Sequence, residues 1–180
     1  MARKESVTIQ DILENAFEMT REEGFANVTA RKVAARVGCS TQPIFRVYKN
    51  MDELWGEVYK KAVLFFQDYY DLFPRTGTVP FSNLGMAYIA FAREEKNLFR
   101  LLFLSELPEK KSLYEILNGE KGNVLFEINK ASAMGCANPQ GMFMRMWLFI
   151  HGVACMSLTG DYDLTDAETK KLLEQEYANG

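Results

Sequence analysis

The chain has 180 residues, 48% of them apolar and 25% charged, with a formal net charge of −3. That is ordinary globular usage with length enough to bury a core; it excludes a disordered chain, a collagen-like repeat and a globally basic nucleic-acid coat. The cysteines Cys39, Cys136 and Cys155 are odd in number and lack a CxxC spacing, and the opening Met-Ala-Arg-Lys-Glu-Ser has no apolar run, so a secreted disulfide scaffold gives way to a reduced, cytoplasmic setting.

Almost everything reads as helix. Thr8 is a candidate N-cap, and Ile9, Ile12, Leu13, Ala16, Phe17 and Thr20 follow at helical spacing until Gly24. Thr29 can cap a second helix whose inner face is Ala30, Val33, Ala34 and Val37, stopped by Gly38. A short third helix spans about 40–46, capped by Cys39 or Ser40. Asn50 or Asp52 opens a long fourth helix reaching about Phe73. Residues 75–80 form a loop, with helices expected at about 81–94 and 96–104. A segment over about 110–134 is interrupted near Gly119 and Gly122, and Pro74, Pro80, Pro108 and Pro139 stand in the breaks. An apolar helix begins at Pro139, and Thr165-Asp-Ala-Glu168 is a capping box for the last one. No strand of period two is convincing. The expected fold is all-α, with about nine helices.

The run Met142 to Leu158 is nearly unbroken apolar sequence but holds Arg145, His151 and Ser157 and falls short of a bilayer span. It reads as a helix covered by its own core on one side and by a second subunit on the other, not as a membrane segment. Arg145 then needs an internal carboxylate or an acidic ligand. His151 is either a satisfied core group or a ligand contact. Gly152 permits close backbone approach at a dimer seam.

Charge is unevenly spread. Residues 29–50 contain Arg31, Lys32, Arg36, Arg46 and Lys49 and no Asp or Glu, between acidic flanks. A local positive face on an acidic chain suits phosphate recognition. Within it, Ala34, Gly38 and Ile44 meet the needs of a helix-turn-helix in order: a small residue where two helices cross, a glycine for the turn, and a branched anchor in the second helix. Thr41, Gln42 and Arg46 then face outward, residue types that reach base edges and phosphates.

Catalysis is not expected. One histidine among scattered cysteines builds no zinc or Cys-His site. There is no Gly-rich phosphate loop and no GxSxG, and the pairs Glu22-Glu23 and Glu94-Glu95 do not face each other. No cofactor or metal is expected. A helical adaptor that binds only protein is the alternative, and the acid-free basic stretch argues against it.

The stretch Gly24-Phe-Ala-Asn-Val-Thr29-Ala-Arg-Lys-Val-Ala34-Ala-Arg-Val-Gly38-Cys-Ser40-Thr-Gln-Pro-Ile44-Phe45-Arg-Val-Tyr48-Lys-Asn-Met51-Asp-Glu-Leu54 resembles the DNA-binding domain of the TetR family of bacterial transcriptional regulators. Segments 91–103 and 147–152 are similar, more weakly, to one branch of its C-terminal domains. The resemblance implies a helix-turn-helix domain at 1–51 and a helical dimerisation and effector-binding domain at 52–180. It implies a homodimer, formed through the last two long helices, that represses from a palindromic double-stranded operator and is released by a small effector. Candidate DNA contacts are Thr29, Arg31, Ser40, Thr41, Gln42, Pro43, Phe45, Arg46, Tyr48 and Lys49. Phe45 and Met51 stand where the family usually has phosphate-contacting Tyr and Lys; Lys49 and the amides opening the fourth helix are candidate substitutes. A largely apolar or aromatic effector would be lined by Phe65, Phe66, Tyr69, Tyr88, Phe91, Phe103, Phe126, Met142, Met146, Trp147 and His151.

Overall fold

A computed structural model describes residues 7–107 and 110–179; the opening Met1–Ser6 and Pro108 lie outside the described residues. Among the described residues there are ten α-helices and no strand. The excess over the expected nine arises at 110–134, where Gly119 and Gly122, both at positive φ, divide the segment into two helices. The chain forms two compact units, one running through Phe65 and resumed at Asn97–Ser105, the other comprising Phe66–Lys96 and the residues from Glu106 onward.

In the first unit, α1 (Ile9–Glu23) starts as its sequence dictates. The Thr8 hydroxyl accepts from the Asp11 amide at 3.1 Å, and the Asp11 carboxylate accepts from the Thr8 amide at 2.8 Å. Its inner face buries Ile12, Ala16, Phe17 and Met19, and the buried Thr20 hydroxyl donates to the Ala16 carbonyl. The far end is closed from a distant part of the sequence: the Asn97 side-chain amide donates to the Arg21 carbonyl at 2.7 Å and the Glu22 carbonyl at 3.2 Å. The segment read as one helix over 96–104 is a short α-helix, α6 (Lys96–Phe99), followed by a π-helical turn, Arg100–Leu104. It buries Leu98, Phe99, Leu101 and Leu102.

α2 (Ala30–Val37) and α3 (Gln42–Val47) flank the turn. Gly38 sits at φ 77° and ψ 32°, with its own amide donating to Ala35 and the Cys39 amide to Ala34. Val33, Ala34 and Ile44 are all buried, as their spacing requires. α3 begins one to two residues later than expected, after Thr41; no side chain caps it, so neither Cys39 nor Ser40 has that role. α4 (Met51–Leu72) opens with Asn50 as cap: its side-chain oxygen accepts from the Glu53 amide at 3.0 Å.

In the second unit, α5 (Ser82–Glu94) is buried along most of its length and packs on α9 (Pro139–Thr159) and α10 (Asp166–Ala178); α7 (Leu113–Asn118) and α8 (Asn123–Ala133) complete it. The expected capping box at Thr165 and Glu168 is present. The loop before α5 is drawn tight: the Gly77 amide donates to the Asn83 side-chain oxygen at 2.7 Å, and the Asn83 amide group returns a bond to the Gly77 carbonyl at 3.2 Å. A Cβ on Gly77 would collide with the Ser82 hydroxyl and lie 3.0 Å from the Asn83 oxygen. Gly77→Ala is therefore expected to cost about 1–3 kcal/mol, seen as a midpoint several degrees lower in thermal unfolding. An unchanged midpoint would disprove this packing.

α9 is the one described helix long and apolar enough to cross a membrane by length and composition, with a mean hydropathy of 1.3, yet only 33% of that window is buried. Its inner face holds Met142, Met146, Trp147, Ile150 and Val153; Met144, Leu148 and Met156 are exposed at four- and eight-residue spacing. Arg145 lies on the exposed side, where its guanidinium reaches back to the Met142 sulfur at 3.9 Å.

Candidate nucleic-acid interface

Of the five cations in the acid-free stretch, two are turned back onto α1. Lys32 pairs with Glu23 at 2.8 Å, and the Arg36 guanidinium meets both oxygens of Glu22 at 2.5 and 2.8 Å. That fork holds the Glu22 carboxyl below its usual range. The positive face that remains is Arg31, Arg46 and Lys49, all exposed. Arg31 and Arg46 make no ion pair among the described residues, and Lys49 reaches Glu53 only at 3.6 Å.

The remaining candidates divide by exposure. Thr29, Ser40, Gln42 and Phe45 are exposed; Thr41 and Pro43 are half-buried. Thr29 is also engaged structurally, accepting from the Lys32 amide at 3.3 Å to cap α2. Tyr48 is only 6% exposed, and burial first, then the nearby Glu57, pushes its phenol up from the ordinary value. It is a core residue that closes α3, and its placement among surface contacts is corrected. Val47, which no sequence signal singled out, is 36% exposed beside Arg46. With Phe45, 49% exposed, it gives α3 an apolar edge of the kind that touches thymine methyl groups.

The proposed substitutes for the missing Lys at 51 are partly occupied. The Glu53 amide is taken by Asn50, and the Glu53 carboxylate accepts from the Lys49 amide at 2.8 Å, placing negative charge at the start of α4. Met51→Lys is thus expected to tighten non-specific DNA binding. The slope of log affinity against log salt should steepen by about 0.9 for each further phosphate that the protein neutralises. Fluorescence anisotropy at graded salt measures this; a slope equal to that of the unmodified protein would show that position 51 does not face phosphate.

The residues expected to line an effector pocket fall in both units. Phe65 and Phe103 belong to the first unit, packing on Phe17 at 5.6 Å and Phe99 at 4.9 Å. In the second unit Phe66, Tyr69, Tyr88, Phe91, Trp147 and His151 interlock edge-to-face or stacked, with ring centroids 4.8–6.2 Å apart. Met142 and Met146 are buried on α9, and Phe126 is 65% exposed. Burial pushes the Tyr88 phenol up from its ordinary value, and burial first, then Lys110, holds the His151 imidazole below its own. The Tyr88 hydroxyl and His151 Nδ1 share a hydrogen bond at 2.9 Å, and His151 Nε2 lies 3.6 Å from Cys155 Sγ. Both ring nitrogens of the half-buried His151 thus have a side-chain partner.

A cavity of about 370 Å³ in the second unit is lined by Tyr70, Arg75, Asn83, Asn123, Phe126, Glu127 and Lys130. Only Phe126 among them was expected. The others come from α4, the following loop, α5 and α8, a convergence that no local spacing signals.

Residues 12–58 match the family described as bacterial regulatory proteins of the tetR family, and residues 81–179 match the tetracyclin repressor-like C-terminal domain. The fold is similar to that of a TetR-like transcriptional regulator from Rhodococcus sp. RHA1, at 15% identity and a TM-score of 0.63 over 95% of this chain and 93% of that one. It is also similar to a TetR-family protein from Vibrio parahaemolyticus described as a putative transcriptional regulator, at 15% identity and a TM-score of 0.68 over 94% and 96%. A TetR-family protein from Mesorhizobium loti MAFF303099, likewise described as a putative regulator, aligns over 94% and 93% at 14% identity and a TM-score of 0.53. No curated protein matches the chain.

Proposed function

The chain belongs to the TetR family of bacterial transcriptional regulators and is a DNA-binding regulator, not an enzyme, and from that premise we propose that it is a cytoplasmic, homodimeric repressor released from a partly palindromic operator by a small effector. The DNA contacts are Arg31, Gln42, Phe45, Arg46 and Lys49, with Thr29, Ser40, Thr41 and Pro43 at the margins of the same face. α3 enters the major groove.

The observation that carries the dimer is the outward stripe of α9. Met144, Leu148 and Met156 are exposed, and at Gly152 an added Cβ would meet nothing within 4 Å. An apolar stripe of this kind is costly in water, and a second copy of the same helix covers it isologously, with Gly152 admitting the partner backbone. α10 completes the seam. Two α3 helices related by a two-fold axis would then read half-sites about one DNA turn apart.

The effector is a small, largely apolar or aromatic molecule taken up by the second unit, whose aromatic side chains supply the stacking surfaces. Binding favours a dimer whose α3 spacing no longer matches the operator, which requires that the effector prefer the non-binding state. Sedimentation should give a particle of about 41 kDa, twice the 20.6 kDa chain. A monomer at micromolar concentration would overturn the proposal.

A further inference from the structure

We infer that the cavity between the end of α4, the 73–81 loop and α8 binds a small organic carboxylate, its anionic group held by Lys130 and Arg75 and its flat apolar part on Phe126. Only the link from this site to DNA release rests on the effector-responsive reading above; binding itself does not.

The charges lining the cavity do not balance. Arg75 and Lys130 bring two positive charges, and Glu127 one negative. Glu127 is 3% exposed and committed elsewhere: its carboxylate accepts from the amide of Phe81 at 2.8 Å, fixing a residue held at φ 66° ahead of α5. Neither Arg75 nor Lys130 has a carboxylate within salt-bridge distance among the described residues. Elsewhere in the same unit Arg93 pairs with Asp166, Lys121 with Asp71 and Lys170 with Glu174. A net charge of one in a concave, partly desolvated setting is complementary to a monoanion.

The walls are preorganised for it. The Arg75 guanidinium lies 4.1 Å from the Tyr70 ring centroid and donates to the Tyr70 carbonyl at 3.1 Å, so its planar fork is already immobilised. Asn83 is locked to Gly77 by the two bonds described above, which fixes the loop wall. Lys130 and the Asn123 side chain make no hydrogen bond among the described residues and supply donors. Phe126, largely exposed, provides the apolar flank. Asn123, Phe126 and Lys130 follow one another at three- and four-residue spacing on one face of α8, so amide, ring and ammonium line one wall, which selects a carboxylate carried on a planar body over a bare inorganic ion or a neutral ring.

The test uses the full-length protein, with benzoate as the probe and benzyl alcohol and inorganic phosphate as comparators, followed by calorimetry or NMR titration. Benzoate should bind at least tenfold more tightly than either comparator. Lys130→Gln and, separately, Asn123→Asp should each weaken benzoate at least fivefold while leaving the circular dichroism spectrum and unfolding midpoint unchanged. Equal affinity for benzoate and benzyl alcohol, tighter binding of phosphate, or undiminished benzoate affinity in both variants would overturn the site. The same titrations repeated on a complex with duplex DNA separate the two readings. Benzoate that binds through Lys130 without releasing DNA upholds the site and refutes its role in release. Release by benzoate that persists in Lys130→Gln refutes the site and leaves the effector-responsive reading standing.

Discussion

Arg46→Ala is expected to abolish high-affinity DNA binding without altering the fold. Arg46 is exposed on α3, makes no ion pair among the described residues and supports no neighbour, so its truncation leaves stability unchanged. A bidentate arginine contact to a base is worth about 1–3 kcal/mol. A dimer loses it at both half-sites, about 2–6 kcal/mol in all. The measurement is anisotropy on a duplex selected by the unmodified protein from a random library, alongside thermal unfolding. The salt dependence separates two roles. A guanine contact, once lost, relaxes sequence preference at one position, whereas a phosphate contact lowers affinity for all sequences and flattens the salt slope. Gln42→Ala should act in the same direction with the smaller effect of a neutral side chain. Normal binding by both variants would remove α3 from the groove.

Leu148→Glu is the second large effect. Leu148 is 66% exposed at the middle of the outward stripe of α9 and contributes little to its own core. In an isologous seam the substitution buries a carboxylate from each copy without a partner, at a cost of several kcal/mol each. The protein should sediment as a 20.6 kDa monomer with an unfolding transition of its own. It should also lose DNA affinity by roughly 10²–10⁴-fold, because the second head no longer binds at high effective concentration. A variant that remains dimeric would place the seam elsewhere.

Local chemistry made much of the first unit legible. The caps at Thr8 and Thr29, the Gly38 turn and the Ala34–Ile44 crossing depend on residues within a few positions of one another, and each is present. What depends on distant partners was hidden. Lys32 and Arg36 count as positive in the sequence but are neutralised by Glu23 and Glu22, nine and fourteen residues away. Tyr48 has a polar end and basic neighbours, yet its ring is needed to seal α3, and burial is a property of packing that spacing over six residues cannot report. Arg145 interrupts an apolar run in the sequence, but the helical turn of about 100° per residue carries it to the outer face. The cavity around Lys130 was invisible because a run of aromatic or polar residues does not say which helices converge on it.

The bonds from Asn97 to the last carbonyls of α1 have a practical bearing on modular exchange. The DNA-reading head is discontinuous in sequence, because its first helix is finished by an amide some seventy-five residues downstream. Cutting within α4 and grafting residues 1–65 onto another member of the family would strip those carbonyls of their donor and leave behind the buried Leu98, Phe99, Leu101 and Leu102 of the same unit. A chimera that transplants the specificity of this head should carry residues 97–105 with it, or accept a recipient that already offers a side-chain amide at that place.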